Sequence, residues 1–239
     1  MNELLARIIE AHGGIDCWNG FERVEATIVS GGGLFRVKGV PQDSTPRRMT
    51  VWLHEERSSV FPYGAPDQRT MFTPERVAIE KLDGKIVAER HVPRDSFVGH
   101  QMTTPWDALH RAYFNGYAMW TYLTTPFLLT MDGVRVEETE PWPEGEETWR
   151  VLRAYFPGSV GTHNGIQDFF FGEDSRLRRH DYSVNIAGGL AAAQLASDYV
   201  SANGIYLPTR RRAYTRGSDR QPILEMLMVS IDISEVRFE

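Results

Sequence analysis

The stretch PWDALHRAYFNGYAMWTYLTTPF, Pro105–Phe127, decides the fold of this chain. Its bulky residues recur at spacings of three and four, as on one α-helix: Trp106, Leu109, His110, Tyr113, Tyr117 and Trp120. Pro105 is tolerated in a first helical turn, and Pro126 ends or kinks the helix. Apolar and aromatic side chains occupy almost the whole circumference of this helix, which predicts that the helix is buried on most sides. A buried helix needs other elements to surround it.

Strand patterns flank the central segment on both sides. Before it, alternating or β-branched runs predict strands at Phe21–Lys38 (two, separated by Gly31-Gly32-Gly33), Met49–Leu53, Ser58–Tyr63, Gln68–Phe72, Arg76–Leu82 and Ile86–Val92. After it, they predict strands at Thr148–Phe156, Gly165–Phe171, Arg176–Ile186, Asp198–Val200, Ile205–Tyr214 and Ile223–Phe238. Leu190–Ala196 fits a helical turn or a strand. Asp83-Gly84 and Asn203-Gly204 predict hairpin turns. We therefore expect an α+β, mostly β fold, with a large curved antiparallel sheet wrapped around a helical lid.

The amino-terminal residues 2–12 predict an amphipathic helix. Its apolar residues Leu4, Leu5, Ile8 and Ile9 share one face, and Gly13-Gly14 ends it. A secretory signal has a basic start followed by an unbroken apolar run, and this segment has neither. We therefore expect no export and a cytoplasmic location. The most apolar later segment, Ala118–Met131, is shorter than the ~20 apolar residues of a membrane-spanning helix.

Composition and charge narrow the class of protein. The chain has 239 residues, of which 41% are hydrophobic, and we expect residues 1–239 to form a single domain. A net charge of -6 argues against a nucleic-acid partner, which needs a concentrated basic face. Cys17 is the one cysteine, so no intramolecular disulfide can form. No phosphate loop, dinucleotide fingerprint or metal-binding histidine spacing occurs, so we expect no cofactor and no metal. The sequence does not indicate an oligomeric state.

Three segments in this order carry a family resemblance: AHGGIDCWNGFERVEA (11–26), the central segment, and DYVSANGIYLPTRRRAY (198–214) with the alternating strand after it. They resemble a group of uncharacterised bacterial proteins related to the LolA/LppX-like lipoprotein-carrier superfamily. The resemblance implies an unclosed β-barrel of about eleven antiparallel strands curved over a helical lid. It also implies an apolar cavity between sheet and helices that receives acyl chains. Because the export signal is missing, periplasmic lipoprotein trafficking is not part of the expectation.

The first candidate site is the aromatic face of the central segment. Its candidate ligand-binding residues are Trp106, His110, Tyr113, Tyr117, Trp120 and Phe127. Aromatic rings fill concave apolar sites well, and their polar tips can orient a ligand. The alternative is that these rings simply fill the core. His110 also lies one helical turn from Asp107, where a routine i,i+3 contact is expected rather than a catalytic dyad.

The second candidate site is polar and comes from the late strands. Strand alternation places His180 and Tyr182 on one face, continuing into an apolar face. With His163 and Arg210 they complete the candidate ligand-binding set. A histidine in this position can serve as a general base near neutral pH. The alternative is a hydrogen-bonded histidine at a strand end.

Together these features favour a noncatalytic protein that binds a small apolar or amphipathic ligand, lipid-like or acyl-chain-like, between sheet and helices. An unclosed curved sheet leaves an interior that its own side chains need not fill. One alternative is an enzyme that acts on a hydrophobic substrate with His180 as general base. Another is a structural or partner-binding protein with a filled core.

Overall fold

The computed structural model describes residues 2–40 and 43–239, which contain four α-helices and thirteen β-strands. The helices are α1 (Glu3–Ala11), α2 (Ile15–Asn19), α3 (Gly33–Val37) and α4 (Ala108–Thr124). The strands before α4 are β1 (Arg23–Gly31), β2 (Arg47–Trp52), β3 (Arg57–Phe61), β4 (Gln68–Thr73), β5 (Arg76–Lys81) and β6 (Ile86–His91). Those after it are β7 (Arg135–Glu144), β8 (Glu147–Tyr155), β9 (Ile166–Phe171), β10 (Leu177–Val184), β11 (Leu190–Ala202), β12 (Ile205–Arg216) and β13 (Pro222–Phe238). Short 3-10 helices occur at Pro93–Phe97, Phe127–Thr130 and Asn185–Ala187.

All thirteen strands belong to one antiparallel sheet in the order β6-β5-β4-β3-β2-β1-β13-β12-β11-β10-β9-β8-β7. The first and last strands pair at its centre, where Val24 lies opposite Phe238. Strands β6 and β7 are the two edges, so the sheet does not close into a barrel. The prediction of a mostly β fold with an unclosed antiparallel sheet is confirmed, with thirteen strands in place of about eleven.

Two helices cover parts of the inner face. In α1 the Asn2 side chain accepts a hydrogen bond from the Leu4 backbone N–H, which caps the helix. The apolar face of α1 is buried, and His12 after it accepts a hydrogen bond from Tyr206 N at the β11–β12 turn. In that turn both Asn203 and Gly204 have positive φ, as a two-residue hairpin loop requires. The helix α4 packs on β2 to β6.

The start and close packing of α4 follow from particular residues. Asp107 accepts a hydrogen bond from His110 N, and the Asp107 N–H donates to His110 Nδ1, which together form a capping box. Midway along the helix, a Cβ added to Gly116 would lie 2.4 Å from Phe72 Cγ of β4. The helix therefore lies directly against the sheet at this point.

The structure overturns one predicted strand, decides one open alternative and adds one strand that was not predicted. The strand predicted at Leu34–Lys38 is wrong, because a run of five residues cannot separate a helix from a strand, and α3 forms there instead. Leu190–Ala196 is part of the long strand β11. The strand β7 was missed because it is an edge strand, acidic and largely exposed, with Pro141 and Pro143 within it. Among the described residues, no helix is long and apolar enough to cross a bilayer.

Candidate functional site

A cluster of buried polar side chains lies at the centre of the inner face, and we call it the inner cluster. Its members are Tyr117, Tyr122, His163, Tyr182, Gln194 and Arg211, each exposed by 3% or less. The helix α4 supplies the first two, the loop before β9 supplies His163, and β10, β11 and β12 supply one residue each. The cluster therefore joins α4 to the late strands.

His163 is the centre of this hydrogen-bond network. Its Nδ1 lies 3.2 Å from Tyr117 Oη, and its Nε2 lies 3.0 Å from Tyr122 Oη. Burial lowers the pKa of His163 well below its ordinary value and raises the pKa of Tyr122. Imidazole and phenol are therefore both neutral near pH 7.

His180 lies beside the inner cluster and is equally buried. Its Nε2 lies 2.6 Å from Gln167 Oε1, and its ring stacks on Phe169 with centroids 4.1 Å apart. The Gln167 amide nitrogen donates to Thr162 Oγ1, so its oxygen is the atom that faces His180, and it accepts from Nε2–H. Burial lowers the pKa of His180 well below its ordinary value. A neutral, enclosed imidazole with such a pKa is a poor general base near neutral pH.

The predicted aromatic residues of the central segment fill the space between α4 and its neighbours. Tyr113 packs edge-on against Phe72 of β4, with centroids 5.5 Å apart. Trp120 is completely buried, and its Nε1 donates to Trp52 O and Glu55 O at the turn after β2. Trp106 is 5% exposed and lies under the Lys38 ammonium group. In this arrangement these rings contact protein and not open space.

His110 and Arg210 lie apart from the inner cluster. His110 is the half-buried capping residue of α4, which agrees with the expected i,i+3 contact with Asp107. Arg210 points to the outer face of β12 and pairs with exposed Asp198 at 3.7 Å. The inward residue is its neighbour Arg211, because the alternation that buries Ile205 and Leu207 continues to positions 211 and 213 of β12. That alternation is the signal from which Arg211 could have been identified.

An open cleft lies at the end of the central segment, and we call it the rim cleft. Its lining residues are Ile15, Trp18, Asn19, Leu53, His54, Phe127, Leu128, Thr130, Met131 and Asp132. Its volume is about 350 Å³, near the lower end of small-molecule pockets. Trp18 of α2 stacks on Phe127 with ring centroids 4.2 Å apart and an angle of 8°. Of the ten predicted site residues, Phe127 lines this cleft.

Comparisons with known proteins find similarity of fold. No protein-family model matches the sequence, and no curated protein matches it. A LolA superfamily protein from Nitrosomonas europaea is similar in structure, with a TM-score of 0.54 and 12% identity over 99% of this chain and 92% of that one. A DUF1329 family protein from Desulfovibrio piger has a TM-score of 0.54 and 10% identity over 99% of this chain and 92% of its own.

A third solved structure corrects the predicted location. It is described as an outer membrane lipoprotein-sorting protein domain from Vibrio parahaemolyticus, with a TM-score of 0.55 and 10% identity over 99% of this chain and 91% of that one. The prediction of a cytoplasmic location is contradicted by such neighbours, which point outside the cytoplasm. It relied on the character of residues 2–12, and an amphipathic first helix does not by itself assign a compartment. The predicted structural resemblance is confirmed: this chain has the fold of the LolA superfamily.

Proposed function

We propose that this protein binds a small apolar or amphipathic molecule with a lipid-like or acyl-chain-like tail, without catalysing a reaction on it. The ligand lies on the inner face of the sheet, under α4 and the Phe127–Thr130 segment, and residues 1–239 act as one domain. The observation that carries the proposal is the rim cleft, an opening of about 350 Å³ with a mixed apolar and polar lining that reaches the stacked rings of Trp18 and Phe127. A similar fold in an outer membrane lipoprotein-sorting protein domain supports the choice of ligand class.

The rim cleft is the entrance in this proposal. Trp18, Leu53 and Leu128 give it apolar walls, while Asn19 and Asp132 are exposed at its mouth. A tail entering here gains roughly 0.8 kcal/mol for each CH₂ group that it buries. That gain opposes the cost of separating rings that contact one another in this structure. The ligand therefore replaces protein contacts and does not enter a preformed interior cavity.

Two features bear on the alternative functions. The buried, neutral and hydrogen-bonded His180 disfavours an enzyme that uses it as a general base. The tight packing around Tyr113 and Trp120 agrees with a filled core and a surface partner. Ligand binding and a filled core make different predictions for solution experiments.

The decisive experiment looks for a bound lipid. The full chain is purified natively and extracted with organic solvent, the extract is examined by mass spectrometry, and the protein is titrated with a fluorescent acyl probe. We expect a co-purified lipid or saturable probe binding. Absence of both would overturn the proposal in favour of the filled core.

A matched pair of variants tests the entrance. Asn19→Trp places a bulky ring at the mouth of the rim cleft, whereas Asp16→Trp places one on the same helix outside it. Both positions are exposed, so both variants are expected to fold. We expect Asn19→Trp to weaken probe binding at least tenfold and Asp16→Trp to leave it unchanged. Equal binding by both would show that the ligand enters elsewhere.

A further inference from the structure

Arg211 is a buried cation at the centre of the inner face. Its side chain is 1% exposed. Nη1 donates to Gln194 Oε1 and Nη2 donates to the Tyr122 carbonyl oxygen, both at 2.8 Å. The Nε–H has no hydrogen-bond partner among residues 2–40 and 43–239. The guanidinium is thus bonded to two neutral oxygens, and its Nε–H has no acceptor.

A second buried arginine shows what is missing at Arg211. Arg179, on the outer face of β10, is also 1% exposed. Its guanidinium makes a two-pronged pair with the Asp181 carboxylate at 2.6 and 2.7 Å. Within the described part of the chain, no carboxylate pairs with Arg211. The two side chains are equally buried, but only Arg179 has its charge compensated.

The groups around Arg211 supply no negative charge. Burial raises the pKa of Tyr122 and of Tyr182, so neither phenol ionises near pH 7. Burial also lowers the pKa of His163 and of His180, so both imidazoles are uncharged. An isolated buried charge is costly unless a counter-charge reaches it. The inner cluster therefore carries one net positive charge in this arrangement.

We propose that Arg211 binds the carboxylate of an anionic amphiphile, so that the ligand of the inner face is a long-chain carboxylic acid. This inference rests on the function proposed above and specifies the head group. A planar carboxylate matches the donor geometry of a guanidinium, and one negative charge compensates the one positive charge present. The unused Nε–H becomes a donor to it.

The position of Arg211 suits such a head group. Its contact on α4, Tyr122, lies five residues before Phe127 in the rim cleft. A tail in the rim cleft and a head at Arg211 would therefore lie near the carboxyl end of α4 and the 3-10 helix that follows it. A purely structural role, in which Arg211 caps the last carbonyls of α4 and lies over the Tyr122 ring, explains the Nη2 bond but not the absence of a counter-charge.

The test compares palmitate with methyl palmitate. The two have the same acyl chain, but only palmitate carries a negative charge. The full chain, freed of bound lipid, is titrated with each at pH 8 by displacement of a neutral fluorescent acyl probe. We expect palmitate to bind at least tenfold more tightly than the ester. The variant Arg211→Met should reduce this ratio to about one.

A control variant and three outcomes complete the test. Arg179→Met removes the other buried arginine and should leave the palmitate-to-ester ratio unchanged, with circular dichroism checking the fold of both variants. If Arg211→Met does not fold, Arg211→Lys, which keeps the charge but loses the planar fork, should lower the ratio several-fold. Equal binding of palmitate and ester by the unaltered protein would overturn the head-group inference and leave acyl binding intact. Failure of both to bind would overturn the proposed function itself.

Discussion

The imidazole ring of His163 lies flat against the phenol ring of Tyr182, with centroids 3.8 Å apart and an angle of 4° between the planes. The Tyr122 hydroxyl from α4 lies 3.0 Å from His163 Nε2 and 3.0 Å from Tyr182 Oη. One hydroxyl therefore connects the two stacked rings. This contact fixes α4 to the loop before β9 and to β10.

Removing that hydroxyl tests the value of the connection. Tyr122→Phe keeps the ring but leaves His163 Nε2 and Tyr182 Oη without this partner. We expect the free energy of unfolding to fall by about 1–3 kcal/mol, because buried polar groups would lose hydrogen bonds. Urea denaturation measures the change. Tyr155→Phe, which removes a more exposed hydroxyl bonded to Glu137, is the control and should cost clearly less. Equal costs would mean that the inner network contributes little.

Much of the fold can be predicted from the sequence because its signals are local. Pro105 predicts a helix start close to the observed one, since α4 begins at Ala108, and period-two alternation marks most strands. The strand prediction at Leu34–Lys38 was wrong because the pattern there is too short. The strand β7 was not predicted because an edge strand needs no apolar face. These failures are cases in which tertiary position, and not local pattern, decides the structure.

The candidate site was predicted less completely for a related reason. Alternation placed His180 and Tyr182 on the inner face. The partners Tyr122 and Gln194 could not be assigned, because their contacts depend on how α4 and β11 approach β10 across long stretches of chain. Arg210 was predicted as a ligand-binding residue in place of Arg211. Strand alternation counted from Ile205 shows that Arg211 is the one on the inner face.

Gly116 permits the close approach of α4 to β4. In a helix interior, alanine is ordinarily favoured over glycine by about 1 kcal/mol. A Cβ here would collide with Phe72, and overpacking typically costs about 1–3 kcal/mol. The difference between these two effects leaves Gly116→Ala destabilised by up to about 2 kcal/mol, which urea denaturation measures. Gly158→Ala, where a Cβ meets open space, should be neutral or slightly stabilising. Rescue of Gly116→Ala by Phe72→Leu would identify the collision as the cause.

Glu56 predicts a pH dependence of stability. Its Oε2 accepts a hydrogen bond from Gly161 N at 2.8 Å, while its Oε1 is buried without a partner in the described chain. Burial raises the pKa of Glu56 from 4.5 to about 8, with Glu75 adding to the rise and Arg94 opposing it. Between these values the native state holds a proton that the unfolded chain has lost. Its contribution to stability therefore falls as pH rises from about 4.5 to about 8 and is level above.

The variant Glu56→Gln isolates this effect. The amide resembles the protonated carboxyl and does not titrate, so the variant should match the unaltered protein near pH 5. At pH 8 we expect it to be more stable by about 3–4 kcal/mol. Urea denaturation at both pH values measures the difference. Glu55→Gln, at an exposed neighbouring position, is the control for the substitution itself. A constant difference for Glu56→Gln would contradict the assignment.

The outer face of β10 supplies the last prediction. Asp181 is buried, and its carboxylate pairs with Arg179 and, at 2.8 Å, with Arg216. Asp181→Asn keeps the shape of the side chain but leaves Arg179 as an uncompensated buried charge, which typically costs about 3–5 kcal/mol. The same replacement at Asp198, exposed and 3.7 Å from Arg210, should cost about 0–1 kcal/mol. Thermal and urea unfolding of the two variants compare these costs. A large loss for Asp181→Asn would also show that this fold tolerates an unpaired interior arginine poorly, which makes the absence of a carboxylate beside Arg211 a stronger argument for a bound anion.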